Sequence, residues 1–247
     1  MPAGTAAPLY KDDFGSPRGA LRNGAREAVG APLLVLFASY VGFGSLVRGA
    51  GMSLPIGLLS TAATWALPGQ IVSVELYAAG ASLLTIFIAV ALTNARMMPM
   101  TLTLLPVLRV PGRKRWRLYA AAHVIAVTGW AVAMLRCPHM PPAQRLSYFV
   151  GFALTLLAGS MAGTAVGFLL SGVVPPAVSL GLIFANPVYF MLLFLGDLRD
   201  RSRVLALVLG AGLTPVVHAV APTWGLLITG VVAGALAFAL GRKRRHG

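Results

Sequence analysis

Residues 146–170 read LSYFVGFALTLLAGSMAGTAVGFLL, an apolar run without a charged side chain. A helix needs roughly 20 consecutive apolar residues to cross a bilayer core, so this run is long enough. Small residues recur in it at every fourth position: Gly151, Thr155, Gly159, Gly163 and Gly167. Residues four apart share one helix face, and a face of small side chains lets a second membrane helix approach closely. The run therefore predicts a membrane-spanning helix that packs tightly against another.

The rest of the chain has the same apolar character. Of its 247 residues 57% are hydrophobic and only 11% are charged, whereas a soluble domain carries roughly a quarter charged residues. Five further runs are long enough to span a bilayer: 27–47, 80–104, 117–136, 204–221 and 223–241. The composition thus predicts an all-α integral membrane protein with about six transmembrane helices.

Two other apolar stretches contain a proline. They are 54–77, interrupted at Pro68-Gly69, and 175–196, interrupted at Asn186-Pro187. Proline removes an amide donor and clashes with the preceding turn of a helix. Irregular backbone at membrane depth is tolerated only where it is buried in protein or lines a cavity. We therefore predict two broken segments, each of which either re-enters the membrane or spans it.

The positions of the basic residues predict an orientation. If the broken segments re-enter, most of the 20 Lys and Arg residues fall on one side, leaving Arg48, Arg136 and Arg145 opposite. Basic loops mark the cytoplasmic side, so both termini are predicted to be cytoplasmic. If both broken segments span, the termini stay inside but the basic cluster at 113–117 moves outside.

The order of the predicted elements suggests an internal repeat. A span, a broken segment and two spans occur twice, in units 26–136 and 145–241. Because the first unit begins inside and the second outside, the two would be inverted, as in many secondary transporters. Residues 1–20 are predicted to be a poorly ordered cytoplasmic tail, 21–241 a single membrane domain, and 242–247 a basic cytoplasmic tail.

Several function classes are disfavoured by the residues. The single cysteine, Cys137, and four histidines without ligand-like spacing predict no metal site. No phosphate-binding glycine loop appears, and the net charge of +14 has no soluble face on which to bind nucleic acid. His123 and His218 are isolated and read as packing residues. We predict no cofactor and no enzymatic activity.

The order of several short motifs resembles one family. They are Gly42-Phe43-Gly44, Ala50-Gly51-Met52-Ser53, Pro68-Gly69-Gln70, Asn94-Ala95-Arg96, Ser179-Leu180-Gly181-Leu182 through Pro187, and Pro222-Thr223-Trp224-Gly225. Together they resemble AzlC-type permeases over about residues 20–241. The resemblance implies the large subunit of a branched-chain amino-acid exporter in a prokaryotic inner membrane. It also implies a small AzlD-type membrane protein as partner.

The first broken segment supplies four candidate substrate-binding residues: Pro68, Gly69, Gln70 and Glu75. Gln70 falls in the first turn after the break, where free amides and the positive end of the helix dipole favour a carboxylate. Glu75 is an acid within an apolar run, where an ionised carboxylate is costly. It would bind the substrate ammonium or carry a proton, or else be a neutral, hydrogen-bonded acid. We expect both side chains to face one water-accessible cavity.

The remaining candidates lie around both breaks and at the end of a span. Asn186 and Pro187 mark the second break, and Trp65, Phe184 and Tyr189 are expected to form apolar walls for an aliphatic side chain. Asn94 and Arg96 are read as an inner gate or partner contact, the alternative for Arg96 being a headgroup anchor.

The leading hypothesis is a secondary transporter subunit that exports small amino acids by alternating access across the lipid bilayer. Three alternatives stay open: the membrane subunit of an energy-coupled importer, a membrane-embedded enzyme, and a passive channel.

Overall fold

The computed structural model describes residues 11–110, 112, 116–171, 173, 175, 177–178, 180–184, 188, 191, 201–220 and 225–243. Within these residues the chain forms eleven α-helices and one 3-10 turn: α1 Pro17–Ala28, α2 Ala31–Gly49, α3 Leu54–Thr64, α4 Leu67–Ala78, α5 Leu83–Asn94, α6 Met97–Leu108, α7 Trp116–His123, α8 Val127–Arg136, a 3-10 turn Cys137–His139, α9 Pro142–Leu170, α10 Arg201–Val220 and α11 Gly225–Lys243. They fall into two compact units, 1–188 and 189–247.

The helix pair α2–α9 forms the centre of the first unit. Leu33 lies against Gly159, Tyr40 against Gly163, and the Val41 carbonyl occupies the space that a Cβ on Gly167 would need. This confirms the predicted small-residue face. Because residue numbers rise together along both helices, α2 and α9 run parallel. An inverted repeat that begins with these two helices would make them antiparallel, so that prediction is wrong for this pair.

Residues 11–20, predicted to belong to a poorly ordered tail, have a defined structure in which α1 begins at Pro17, and this corrects the prediction for these residues. Ser16 caps α1 by accepting a hydrogen bond from the Gly19 amide. The Asp12 amide donates to the His139 carbonyl at 3.1 Å, and the Phe14 ring stacks on Tyr148. The segment is held because α1 packs along the first turns of α9, where glycines on both helices allow close approach.

The stretch 54–77 is broken, as predicted, but at Trp65-Ala66 rather than at Pro68-Gly69. Helix α3 runs antiparallel to α2. Gly57 lies beside Val47 near the end of α2, whereas Trp65, directly after α3, bonds Ser160 on α9, one turn before the level of Gly44 and Thr164. The helix stops at Thr64, and α4 starts at Leu67 with Pro68 in its first turn. Proline is favoured there, since the first amides of a helix have no partner within it.

The predicted span 80–104 is a bent pair, α5 and α6, which meet at 46°. The bend follows from Pro99, whose ring would collide with the Ala95 carbonyl four positions before it in a continuous helix. The end of α6 lies beside the start of α9, since Arg145 Nη1 donates to the Val107 carbonyl at 3.4 Å. The start of α5 therefore lies towards the end of α9. Helix α4 packs against α5 with Gly69 beside Asn94, so α4 runs antiparallel to α5 and also points towards the end of α9. The α3–α4 segment thus returns towards the end of the first unit at which α3 begins.

The run 117–136, predicted to span, does not cross in one helix. Residues 124–126 separate α7 from α8. Trp130 bonds Thr103 on α6 at 2.9 Å, and the chain beyond Arg136 reaches the end of α6, so α8 runs parallel to α6 rather than antiparallel. The α7–α8 segment therefore enters from the end where α6 finishes and returns to it.

This path changes the predicted distribution of charge. We name the end of the first unit that carries the start of α9 the charged end. Arg136 and Arg145 lie there, together with the N-terminal segment, and not opposite to it as predicted. Eight of the described basic residues lie at this end: Lys11, Arg18, Arg22, Arg26, Arg109, Arg117, Arg136 and Arg145. At the opposite end, Arg48 lies at the last turn of α2, where it donates to the Phe168 carbonyl.

By length and hydropathy, α2 and α9 are able to cross a membrane, and the bent pair α5–α6 is a third candidate among the described residues. The predicted number of about six spans is therefore not established. In the second unit, α10 and α11 include residues 204–220 and 225–241 of the two predicted runs and pack against each other.

Candidate functional site

A network of uncharged polar side chains lies where α3 and α4 separate. Gln70 is its centre and is 1% exposed. Its Oε1 accepts a hydrogen bond from the Tyr40 hydroxyl at 2.8 Å. Its Nε2 donates to Ser60 Oγ at 3.2 Å and to Thr61 Oγ1 at 3.3 Å, and Thr61 Oγ1 lies 3.1 Å from Thr164 Oγ1 on α9. We name these five residues the central network.

Trp65 sets the shape of the break. Its backbone is in the left-handed region with φ 36°, the single positive φ outside glycine in the described residues. Such a conformation is costly for a bulky residue and persists only where the surroundings enforce it. The indole is 3% exposed, and its Nε1 donates to Ser160 Oγ on α9 at 3.0 Å. Trp65 is therefore a fixed part of the break, held from α9.

Gly69 brings α4 against the end of α5. A Cβ at Gly69 would lie 2.5 Å from Asn94 Oδ1 and 2.8 Å from Asn94 Nδ2, so a larger residue here would push the Asn94 side chain aside. Asn94 Oδ1 is buried and has no hydrogen-bond partner. Asn94 ends α5 at the bend, and Arg96, two residues later, is exposed.

The break between α7 and α8 reaches the same region. His123, the last residue of α7, donates from Nε2 to the Ala62 carbonyl on α3 at 2.9 Å. The segment α3–α4 enters from the opposite end and α7–α8 from the charged end, so their tips touch here. Breaks in three segments therefore meet: α3–α4, α5–α6 and α7–α8.

Several predicted site residues lie elsewhere. Glu75 is exposed on α4, whereas its neighbour Val74 is 2% exposed. Gln70 and Glu75 thus face different environments, contrary to the prediction of a shared cavity, because five positions turn a helix by about 140°. Phe184 is 64% exposed. Asn186, Pro187 and Tyr189 lie outside the described residues, and the predicted roles of all these side chains stay predictions.

The sequence reading missed most of the central network. Tyr40, Ser60, Thr61 and Thr164 were not candidates, and neither was Ser160. One signal was available, since Ser160 and Thr164 lie four positions apart and flank the small-residue face of α9. Two hydroxyls just before a proline break, Ser60 and Thr61, are a second signal.

The described residues contain no group of three or more His, Cys, Asp or Glu side chains that could hold a metal ion. The central network offers hydroxyl and amide groups, which bind by hydrogen bonding. Its lack of formal charge suits the membrane interior, where an unpaired charge costs several kcal/mol.

A family model described as AzlC protein matches residues 32–174. The chain belongs to the AzlC family. The match runs from the start of α2 past the end of α9, so it includes all three breaks and the central network. Searches of curated proteins and of solved structures find no match. AzlC proteins are associated with branched-chain amino-acid transport, and the helical, apolar architecture agrees with a membrane transport protein.

Proposed function

We propose that this AzlC protein is the large subunit of an exporter that moves branched-chain amino acids by alternating access. The observation that carries the proposal is the meeting of three broken segments beside a neutral polar network. In secondary transporters, discontinuous helices present free backbone groups to substrate near the membrane midplane.

The substrate carboxylate is proposed to meet the first turn of α4. The Leu67 and Gly69 amides precede the first hydrogen bond of the helix, which the Gln70 amide donates to the Ala66 carbonyl at 3.1 Å. The positive end of the helix dipole adds to the attraction. Gln70 holds this turn in place through its bonds to Tyr40, Ser60 and Thr61. The two re-entrant segments, which approach from opposite ends and touch at His123 and Ala62, are proposed to open in turn.

The charged end is proposed to face the cytoplasm of a prokaryote, in its inner membrane. Eight described basic residues lie there and Arg48 lies opposite, which is the asymmetry expected of cytoplasmic loops. The test is labelling from outside with an impermeant maleimide, using Lys11→Cys and Ser53→Cys, since Ser53 is exposed and its side chain makes no capping bond. We expect only the Ser53→Cys variant to react, and reaction of Lys11→Cys alone would reverse the orientation.

The native thiol does not interfere with this test. Cys137 is fully buried, and burial raises the pKa of its thiol to about 12. Since the thiolate is the reactive form, unmodified protein is the background control and should stay unlabelled.

Transport itself is tested by reconstitution in liposomes, alone and with a small AzlD-type membrane protein. Vesicles loaded with unlabelled leucine, isoleucine or valine should accumulate the labelled amino acid by exchange when both proteins are present. We expect little exchange with either protein alone. Absence of exchange for every amino acid in a full panel would reject the proposal, and full activity of the single chain would reject the partner.

A further inference from the structure

The strongest unexplained feature of the site is Asn94 Oδ1. It is buried without a hydrogen-bond partner, although an unpaired buried acceptor costs about 1–3 kcal/mol. Just one other side-chain atom in the described part of the chain shares this state, the Thr229 hydroxyl oxygen in the second unit. Buried polar atoms without partners are rare in folded proteins, and a missing ligand is one physical explanation.

The surroundings of Asn94 show what is missing. The amide faces Gly69 in the first turn of α4, one residue before Gln70. An amide oxygen accepts hydrogen bonds and does not donate them, so its missing partner is a donor. Glu75, predicted from the sequence to receive the substrate ammonium, is instead exposed.

We propose that Asn94 Oδ1 accepts a hydrogen bond from the ammonium group of the transported amino acid. The assignment rests on the proposed function and makes it more specific. Asn94 receives the ammonium group, and the first turn of α4, whose Gly69 faces Asn94, receives the carboxylate group of the same amino acid. The α4–α5 pair closes over Oδ1 in this structure, so binding requires these helices to separate at their Gly69–Asn94 end.

The test compares two ligands that differ only in the ammonium group, leucine and 4-methylpentanoate. Binding of each is measured by thermal stabilisation of the purified complex with its partner. In Asn94→Leu, leucine should bind about tenfold more weakly or worse, the loss of one charged hydrogen bond, while binding of 4-methylpentanoate should be unchanged. Asn94→Asp keeps an acceptor at this position and should retain leucine binding.

Two further variants separate binding from folding. Gly69→Ala places a methyl group 2.5 Å from Oδ1 and should weaken leucine binding with Asn94 intact. Gly49→Ala is its control, since a Cβ there meets nothing within 4 Å. Thr93→Val is the control beside Asn94, because the Thr93 hydroxyl bonds only the Ala89 carbonyl of its own helix.

The outcomes distinguish the two proposals. Suppose that the wild-type complex binds leucine, and that Asn94→Leu weakens the binding of leucine and of 4-methylpentanoate equally or leaves both unchanged. The ammonium then does not bind Oδ1, and the assignment is overturned while the proposed function stands. If wild-type complex binds neither leucine nor any other amino acid, the proposed function fails and takes the assignment with it.

Discussion

Two polar networks hold the first unit together, and they differ in charge. The central network contains hydroxyls and an amide. The charged network, at the charged end, joins Arg136 to Asp12 at 3.1 Å and to Glu27 through two hydrogen bonds of 3.1 and 3.2 Å. Tyr148 donates to the same Glu27 carboxylate at 2.6 Å. Both networks are anchored on α9, the charged network at Tyr148 near its start and the central network at Thr164.

The difference follows from the medium around each network. The Arg136 and Glu27 side chains are 36% and 37% exposed, so water compensates their charges and limits the worth of the pair. The central network is buried in a part of the chain that would lie at membrane depth, where charge is costly but neutral hydrogen bonds are affordable. The same amide-to-acid exchange should therefore have unequal effects in the two places.

The largest effect is expected from Gln70→Glu. A carboxylate in the centre loses the two amide donors and adds a buried charge, so we expect a loss of several kcal/mol in stability and no transport. Thermal unfolding in detergent measures the loss, which should shrink at acidic pH where the carboxyl is protonated. The control is Asn23→Asp on α1, an equivalent exchange at the charged end. Equal losses of stability in Gln70→Glu and Asn23→Asp would contradict the conclusion that charge is more costly in the central network than at the charged end.

A smaller loss is expected from Thr61→Val, which keeps the shape of the side chain. It removes the contact to Thr164 and one acceptor of Gln70, so we expect about 2 kcal/mol of destabilisation. Thr155→Val is the control, since that hydroxyl bonds only the Gly151 carbonyl of its own helix. A Thr155→Val effect as large as that of Thr61→Val would show that the contact between helices adds nothing.

Glu27→Gln should cost about 1 kcal/mol, since it breaks an ion pair that is partly exposed. Salt screens exposed charges, so the difference from wild type should narrow between low and high ionic strength. The Thr61→Val difference should not change with salt, and this contrast separates the two networks. Salt independence of Glu27→Gln would mean that the pair is not screened by solvent.

The smallest effect is expected from Asp13→Asn. A hydrogen bond from Gln144 Nε2 lowers the pKa of Asp13, with a second from the Gly15 amide. A lowered carboxyl pKa contributes stability above the unfolded value of about 3.8, and that contribution is lost as pH falls through the folded value. Wild type and variant should therefore differ by a constant amount from pH 8 to 5 and converge below about pH 4. A difference in stability between wild type and variant that grows as the pH falls would contradict a lowered pKa of Asp13.

Part of this architecture is readable from the chain alone. Apolar runs without charges identify a membrane protein because few polar side chains are available to face water. Pro68 and Pro99 interrupt helices through local sterics, although the prediction of an unbroken span over 80–104 took no account of Pro99. The small-residue face of α9 predicts a close helix contact because the absence of side chains is itself the signal. The motif order identified the AzlC family, which the match over residues 32–174 confirms.

The rest depended on contacts between distant residues. The break between α7 and α8 has no proline or glycine from 120 to 128, and Val124, Ile125 and Ala126 are held there by burial. Apolar length cannot say whether such a run crosses or returns, so the parallel pairing of α2 with α9 was not readable either. Helix period predicted that Glu75 faces inward with Gln70, but period alone does not fix which side of a helix is buried. Packing decided that, because it buried the Asn94 oxygen beside a glycine and left Glu75 exposed.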